Sequence, residues 1–152
     1  MDDTGGEGVT RAPAGKVEDV PDREIDRLLD GHVVAVPGLG GNRARPAYGV
    51  AAYLKAHGYR IVPIHPTSEE VLGEKVYRRL VDVPFDVDVV DVFRRAEFLG
   101  EVVDDAIAKG VRAGIWGQLS VVDEAAAARA RAAGMAVVMD LCMKVEHERL
   151  RR

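Results

Sequence analysis

The sequence lacks the features that mark secreted or membrane proteins. Cys142 is the single cysteine among 152 residues, so the chain cannot form a disulfide within itself. No apolar run approaches the roughly 18 residues that a bilayer-spanning helix needs. The N-terminal segment is acidic and glycine-rich and has no apolar core of the kind found in secretory signals. We therefore expect a cytoplasmic protein with no membrane partner.

Excess positive charge, clustered metal ligands and catalytic motifs are also missing. The formal net charge of -4 gives no indication of nucleic acid as a partner. Four histidines and one cysteine are scattered without ligand spacing such as C-x-x-C or H-x-x-x-H, so no metal site is predicted. The sequence shows no Ser/His/Asp set, no paired-carboxylate motif and no activated nucleophile. We therefore expect no enzymatic activity, although catalytic sets are recognised by geometry and not by sequence order.

The composition that remains is typical of a globular domain. Apolar residues make up 47% of the chain and charged residues 30%. Residues 1–20 hold few large apolar side chains, so we predict a disordered N-terminal tail there. Residues 21–152 are long enough for a single domain, and no linker within them suggests a second one.

The clearest pattern in the chain is a strand, a glycine loop and a helix between residues 32 and 58. Residues 32–36 read HVVAV, which is typical of a strand buried on both faces. Gly38, Gly40 and Gly41 follow, where the backbone can adopt positive φ and approach a ligand closely. Pro46 suits the first position of a helix, and Gly58 suits its end. The first-turn N–H groups of such a helix can bind a phosphate or diphosphate.

The rest of the chain predicts alternating helices and strands. Helices are expected at 22–30, 98–110, 123–134 and 142–150, and further strands at 60–64, 88–93, 112–116 and 136–139. Residues 67–84 lack clear periodicity, with a helical turn expected near 75–82. The alternation predicts an α/β, Rossmann-like three-layer fold with a five-stranded, mainly parallel sheet flanked by helices.

The glycine loop departs from the two standard nucleotide-binding motifs. The dinucleotide fingerprint G-x-G-x-x-G has Arg43 in place of its third glycine. The acidic residue that would hold a ribose after the second strand is replaced by His65 and Pro66. A P-loop is excluded because no Gly-Lys-Ser/Thr closes the loop. Asn42 and Arg45, together with Arg43, instead offer polar and cationic contacts to phosphates.

Five motifs, in consecutive order, carry a resemblance to a known family. They read VAVPGLGGNRARPAYGVAAYLKAHGYRIVPIHP, LGEKVYRRLVDVP, VDVVDVFRR, IWGQLSVV and AGMAVVMDLCMKVEH. In these motifs the chain resembles the small bacterial CoA-binding proteins and, through them, the CoA-binding domain of succinyl-CoA synthetase α subunits. The resemblance implies a Rossmann-like domain that holds coenzyme A or an acyl-CoA by its ADP part.

The resemblance also implies which residues contact the ligand. Gly38, Asn42 and Arg45 match the loop over the CoA phosphates, and Pro66 matches a position near the adenosine. Together with the residues singled out above, the candidate ligand-binding set is Gly38, Gly40, Gly41, Asn42, Arg43, Arg45, His65, Pro66, Phe93, Arg94, Gln118, Cys142 and Lys144.

The chain differs from the family's usual residues within these motifs. The family usually has a small or hydroxyl residue, often Ser, at position 40 and Asn at position 65, where this chain has Gly40 and His65. In the fourth motif, Gly117 and Ser120 stand where the family has a larger residue and a glycine. Leu141 replaces an arginine, and losing a guanidinium beside a polyphosphate can cost about 1.5–3 kcal/mol.

Several candidate residues have a structural alternative. Trp116 is expected in the core, whereas Phe93 could line an adenine site or fill the core. Cys142 is expected to be buried, with a reactive thiol at the start of the last helix as the alternative. His65 could contact ligand or cap backbone groups, and Arg94 could bind ligand or form a structural ion pair.

Three functions remain open at this point. The first is a non-catalytic sensor or carrier that binds CoA or acyl-CoA. The second is an oxidoreductase-like domain that binds NAD(P), and the third is a family member that acts only as a protein-interaction module. A homodimer or another protein partner is compatible with each of them.

Overall fold

The computed structural model describes residues 20–151, so all but the last residue of the tail predicted for 1–20 lies outside the described residues. The helices are α1 Asp22–Leu29, α2 Pro46–Ala56, α3 Leu99–Lys109, α4 Glu124–Ala132 and α5 Met143–Arg151. The strands are β1 Val33–Pro37, β2 Arg60–Ile64, β3 Glu70–Val71, β4 Glu74–Lys75, β5 Val89–Val92, β6 Gly114–Gly117 and β7 Ala136–Val138. No helix in this part of the chain is long and apolar enough to span a membrane.

The main sheet contains five parallel strands in the order β2-β1-β5-β6-β7. The chain leaves β1 toward β2 on one side and then crosses to place β5 on the other side of β1. This reversal is a topological switch point, where α/β domains place their ligand crevice beyond the carboxyl ends of the strands. The five-stranded, Rossmann-like fold predicted from the sequence is confirmed.

Both faces of the sheet are covered, because its strands are apolar on both sides. In β1, Val34 and Val36 belong to an apolar cluster with residues of α1, α2 and α5, whereas Ala35 belongs to one with residues of α3 and α4. All three side chains are completely buried. Helices on both faces are the usual solution for a parallel sheet of this kind. Trp116 is also completely buried, as expected for a core residue.

Local signals place the helix ends close to where they were predicted. The Asp123 carboxylate accepts a 3.1 Å hydrogen bond from the backbone N–H of Ala126, so it caps α4. Gly110 follows the last residue of α3 and has a φ of +80°, the left-handed conformation that glycine adopts at low cost. Pro46 is the first residue of α2.

The segment between β2 and β5 differs from the expectation. Strands β3 and β4 form a short antiparallel hairpin, and the helical turn expected near 75–82 is reduced to a 3₁₀ turn at Leu80–Asp82. A parallel bridge between Ile64 and Tyr77 attaches the segment after the hairpin to β2. Leu72 and Gly73 form the two-residue turn of this hairpin, both at positive φ, +55° and +77°. Its two-residue strands are too short to show a periodicity in the sequence.

Candidate functional site

A crevice of about 330 Å³ opens at the carboxyl ends of β1, β5 and β6, beside the switch point of the sheet. Its polar wall contains the guanidinium groups of Arg45, Arg94 and Arg95, and no carboxylate lines it. Its apolar wall includes Leu119 and Val121. A crevice with cations on one side and apolar groups on the other suits a ligand with both anionic and apolar parts.

The glycine loop begins at Gly38, where the chain could not carry a side chain. Gly38 has a φ of +97°, and a Cβ at this position would collide with the backbone carbonyl oxygen of Phe93. The sequence predicted positive φ at Gly38, Gly40 and Gly41, and of these three only Gly38 adopts it. The close approach at Gly38 is to the protein's own backbone at Phe93. At Gly41 the space around the Cβ position is open, and its backbone N–H donates a 3.2 Å hydrogen bond to the Ser68 hydroxyl.

The rest of the loop leads into α2 with its cations exposed. The Asn42 side chain accepts a 2.9 Å hydrogen bond from the N–H of Ala44, so it shapes the loop. The guanidinium of Arg43 lies 5.6 Å from the centre of the Tyr48 ring, and Arg45 is exposed and lines the crevice.

The N-terminus of α2 suits an anion. No side chain caps it, and its first turn holds no acidic residue. The helix dipole and the first-turn backbone therefore offer positive potential to a negatively charged group.

The loop after β2 lies against the glycine loop. The ring of His65 accepts hydrogen bonds at Nδ1 from the backbone N–H groups of Thr67 and Ser68, at 3.2 and 3.1 Å. A Cβ at Gly40 would lie 2.6 Å from Cδ2 and from Nε2 of that ring. The neighbouring Pro66 is exposed.

Arg78 holds the loop after β2 in place through hydrogen bonds. Its guanidinium donates to the carbonyl oxygens of His65 and Ser68, at 3.0 and 2.7 Å, and to the Glu69 carboxylate at 2.8 Å. Residues 65–68 are therefore held by hydrogen bonds to their backbone as well as by the His65 ring.

Arg94 separates this crevice from a second cavity. The second cavity, of about 380 Å³, lies at the ends of β1 and β2 beside α3, and Arg94 lines both. The guanidinium of Arg94 pairs with Glu101 at 3.1 Å and lies 4.1 Å from the centre of the Phe98 ring. Arg94 thus makes an ion pair, one of the two alternatives drawn from the sequence, and it also forms part of the crevice wall.

Two further sequence candidates lie in the crevice at the ends of β5 and β6. Phe93 is partly buried, packs against the α2-side cluster and lines the crevice. Gln118 is 5% exposed, and its side-chain oxygen accepts a 3.1 Å hydrogen bond from the N–H of Met143 at the start of α5. Gln118 therefore connects the floor of the crevice to α5.

Eight of the thirteen sequence candidates are not among the residues that line the crevice: Gly40, Gly41, Asn42, Arg43, His65, Pro66, Cys142 and Lys144. Cys142 was expected to be buried; it is half-buried, packs against the α2-side cluster and directly precedes α5. The Lys144 ammonium lies 5.4 Å from the centre of the Tyr53 ring on α2. Both residues follow β7, one strand beyond the strands that frame the crevice.

Sequence reasoning missed several residues around the site. Ser68 and Arg78 hold the loop after β2, and Leu119 and Val121 form the apolar wall. Arg95 also lines the crevice, and its exposed guanidinium pairs with Glu97 at 3.2 Å. The polar run after Pro66 was the one signal that could have indicated Ser68.

Asp91 is a charged residue type that the sequence analysis left inside a strand. Its side chain is completely buried on β5, and neither carboxylate oxygen has a hydrogen-bond partner. Burial raises the pKa of this carboxyl well above its usual value, because a charge without a partner is costly in an apolar interior. Across residues 20–151, no group of three or more His, Cys, Asp or Glu side chains is arranged to hold a metal.

A glycine loop that enters an uncapped helix, at the switch point of a parallel sheet and beside three arginines, is typical of α/β domains that bind nucleotide phosphates. The particular family is shown by its sequence model. The chain belongs to the CoA binding domain family, whose model matches residues 32–148. This confirms the resemblance drawn from the five motifs.

Individual relatives are similar over different shares of the chain. The protein YneT of Bacillus subtilis is 35% identical over 75% of this chain and 84% of its own length. A solved hypothetical protein from Pyrococcus horikoshii OT3 is 35% identical with a TM-score of 0.84, covering 94% of this chain and 98% of that one. An ADP-forming acetate–CoA ligase of Archaeoglobus fulgidus is 27% identical over 54% of this chain but only 12% of the ligase.

Proposed function

We propose that this protein binds coenzyme A or acyl-CoA by its ADP part and catalyses no reaction itself, acting as a sensor or carrier. Membership of the CoA binding domain family supports the ligand class. The observation that carries the proposal is the uncapped N-terminus of α2 beside a crevice lined by three arginines and no carboxylate. A diphosphate is the ligand group that such a site stabilises most.

Different residues of the site are proposed to contact different parts of the ligand. In this proposal Gly38 and Arg45 hold the diphosphate, because both line the crevice at the point where α2 begins. The adenosine lies toward His65 at the end of β2. The pantetheine arm lies toward the apolar wall at Leu119, which is 63% exposed and therefore available to an apolar ligand.

The absence of catalysis is supported by the size of the relatives. The solved Pyrococcus horikoshii chain is matched over 98% of its length, so a protein of this size occurs with this domain alone. In the acetate–CoA ligase, the matched region is 12% of the protein, and the remainder of that ligase has no counterpart in the match.

Calorimetric titration with CoA, acetyl-CoA, NAD, NADP and ATP tests the proposal. We expect binding of both CoA compounds and weaker or no binding of the others. A response to NAD or NADP alone would favour the oxidoreductase-like alternative, and flat traces for all compounds would favour a protein-interaction module. Either result would contradict the proposal.

A matched pair of variants localises the binding. Arg45→Ala should weaken CoA binding about tenfold or more, since one charge-assisted hydrogen bond to phosphate is lost. Arg43→Ala is the control, because Arg43 lies over the Tyr48 ring and is not part of the crevice wall. Equal losses in the two variants would show that general positive charge, and not the site, holds the ligand.

A further inference from the structure

The turn that follows β6 has a serine where the backbone favours glycine. The backbone N–H of Val121 donates a 2.8 Å hydrogen bond to the carbonyl oxygen of Gln118, which closes a four-residue β-turn. Ser120, its third residue, has a φ of +67°, whereas Leu119, its second residue, does not have positive φ. This combination is a type II turn, whose third position is normally occupied by glycine.

The ends of this turn are fixed, whereas its middle is exposed. The side-chain oxygen of Gln118 accepts a hydrogen bond from the N–H of Met143, and Val121 is buried. Leu119 and Ser120 are exposed and line the crevice. The peptide group between these two residues can therefore rotate without displacing either end, which converts a type II turn into a type I turn.

Asp140 holds the middle peptide in the strained conformation. Its carboxylate accepts a 2.7 Å hydrogen bond from the N–H of Ser120. Asp140 is itself anchored to the sheet, since its own N–H donates to the carbonyl oxygen of Gly117 at 2.9 Å. In a type I turn Ser120 would lose the bond to Asp140 but would no longer need positive φ. The cost of left-handed φ and the gain from a hydrogen bond to a charged group are of similar size, so the two turns lie close in free energy.

Rotation of this peptide changes what the crevice presents to a ligand. The C=O and N–H groups of a trans peptide point in opposite directions. Asp140 follows β7 on one side of β6, and the crevice lies on the other side, at β5. The Leu119 carbonyl therefore points toward the crevice side, and no group within residues 20–151 donates a hydrogen bond to it. After rotation, the N–H of Ser120 would offer a donor at that place.

We propose that the Leu119–Ser120 peptide is a two-position switch, held by Asp140 in the free protein and rotated by a ligand carbonyl that lies beside Leu119. The ligand half of this inference rests on the proposed function, which places the pantetheine arm at that wall. The amide and thioester carbonyls of the arm are acceptors, so they meet an acceptor in the present turn and a donor in the rotated one. That difference is the differential affinity by which a ligand shifts a conformational equilibrium.

Nuclear Overhauser contacts of the Ser120 amide hydrogen distinguish the two turns. In a type II turn this hydrogen lies close to Hα of Leu119, and in a type I turn it lies close to the amide hydrogen of Leu119. We expect the first contact in the free protein and the second in the complex with CoA. Adenosine 3′,5′-bisphosphate, which has no pantetheine arm, should leave the first contact in place.

The outcomes separate this inference from the proposed function. CoA binding without a change of contact would overturn the switch and leave the proposed function standing. Absence of CoA binding would overturn the proposed function and, with it, the ligand half of the inference. A type I contact in the free protein would overturn the role of Asp140 whatever the protein binds.

Two variants of Asp140 test its role without ligand. Asp140→Gly removes the carboxylate at a position whose positive φ suits glycine, so it should fold and show the type I contact. Asp140→Asn keeps a side-chain oxygen for the N–H of Ser120 and should retain the type II contact. CoA should bind more tightly to the glycine variant, in which nothing holds the peptide back. A type II contact in Asp140→Gly would overturn the assignment of the carboxylate.

A variant pair at Ser120 tests the coupling from the opposite direction. Ser120→Gly removes the cost of positive φ and so favours the type II turn. CoA should bind to it about fivefold or more weakly than to wild type, whereas the affinity for adenosine 3′,5′-bisphosphate should not change. Ser120→Ala, with the same restriction on φ as serine, should match wild type with both ligands. An equal loss for both ligands in Ser120→Gly would contradict the switch.

Discussion

The backbone N–H of Ser120 donates a 2.7 Å hydrogen bond to the carboxylate of Asp140, and both residues have positive φ, +67° and +64°. These residues follow β6 and β7, and Ser120 also lines the crevice. Non-glycine residues adopt this left-handed conformation at a cost of about 1–2 kcal/mol. The pair therefore stores backbone strain beside the candidate site.

Replacing Ser120 by glycine should stabilise the protein. Glycine relieves the left-handed strain but loses more chain entropy on folding, so we expect a net gain of about 0.5–1 kcal/mol in the free energy of unfolding. Urea titration measures it. Ser120→Ala is the control, since alanine has the same backbone restriction as serine. An equal gain in the alanine variant would show that φ is not the cause.

Gly40 and His65 should behave as one coupled pair. In Gly40→Ser, the new Cβ would lie 2.6 Å from a ring that two backbone amides hold in place. We expect a loss of about 1–3 kcal/mol in the free energy of unfolding, as for other overpacked positions. The double variant Gly40→Ser/His65→Asn should recover most of this loss, with a coupling energy above about 1 kcal/mol. Additive effects in the double-mutant cycle would refute the coupling.

Asp91 should make stability fall as the pH rises. Burial raises the pKa of this carboxyl in the folded protein, so the folded state keeps a proton that the unfolded state releases above about pH 4. Stability from this group is complete below that pH and decreases until the pH passes the raised folded pKa. Asp91→Asn cannot ionise, so its stability relative to wild type should increase with pH by up to about 1.4 kcal/mol per unit. Parallel urea-derived profiles for the two proteins would contradict the expectation.

His147 should make the stability of the protein decrease as the pH falls, the opposite of the effect of Asp91. Its ring Nδ1 lies 2.8 Å from the Tyr53 hydroxyl, and burial, His57 and Arg151 lower the pKa of this imidazole below its usual 6.5. Because the unfolded state takes up the proton first, this group should reduce stability as the pH falls from about 6.5 through the folded pKa. Titration of the His147 ring by NMR should give a midpoint below 6.5 in the folded protein. A midpoint at or above that value would be inconsistent with the packing at Tyr53.

Much of the fold could be predicted because its signals are local. The apolar run at residues 32–36 and the glycines at 38 and 110 act within a few residues of chain, so the strand and the helix end were found close to their observed positions. The β3–β4 hairpin was missed because its two-residue strands are too short to show a periodicity, and Gly73 in its turn was the one local signal.

The candidate site was also predicted only in part. The sequence placed Gly38, Arg45, Phe93, Arg94 and Gln118 at the carboxyl ends of strands, and the structure brings all five to one crevice. It grouped Cys142 and Lys144 with them, because both follow a strand. Which strand ends adjoin the switch point depends on the order of strands in the sheet, and β7 lies at its edge.

The sequence by itself determined the alternation of strands and helices, the glycine loop and the family, because these follow from residue type and spacing along the chain. Only the tertiary structure decided that the His65 ring occupies the space over Gly40, that Asp91 is buried without a partner and that Arg94 stands between two cavities. Each of those facts is a distance between residues far apart in sequence. Such distances are set by strand order and register, which local residue preferences do not specify.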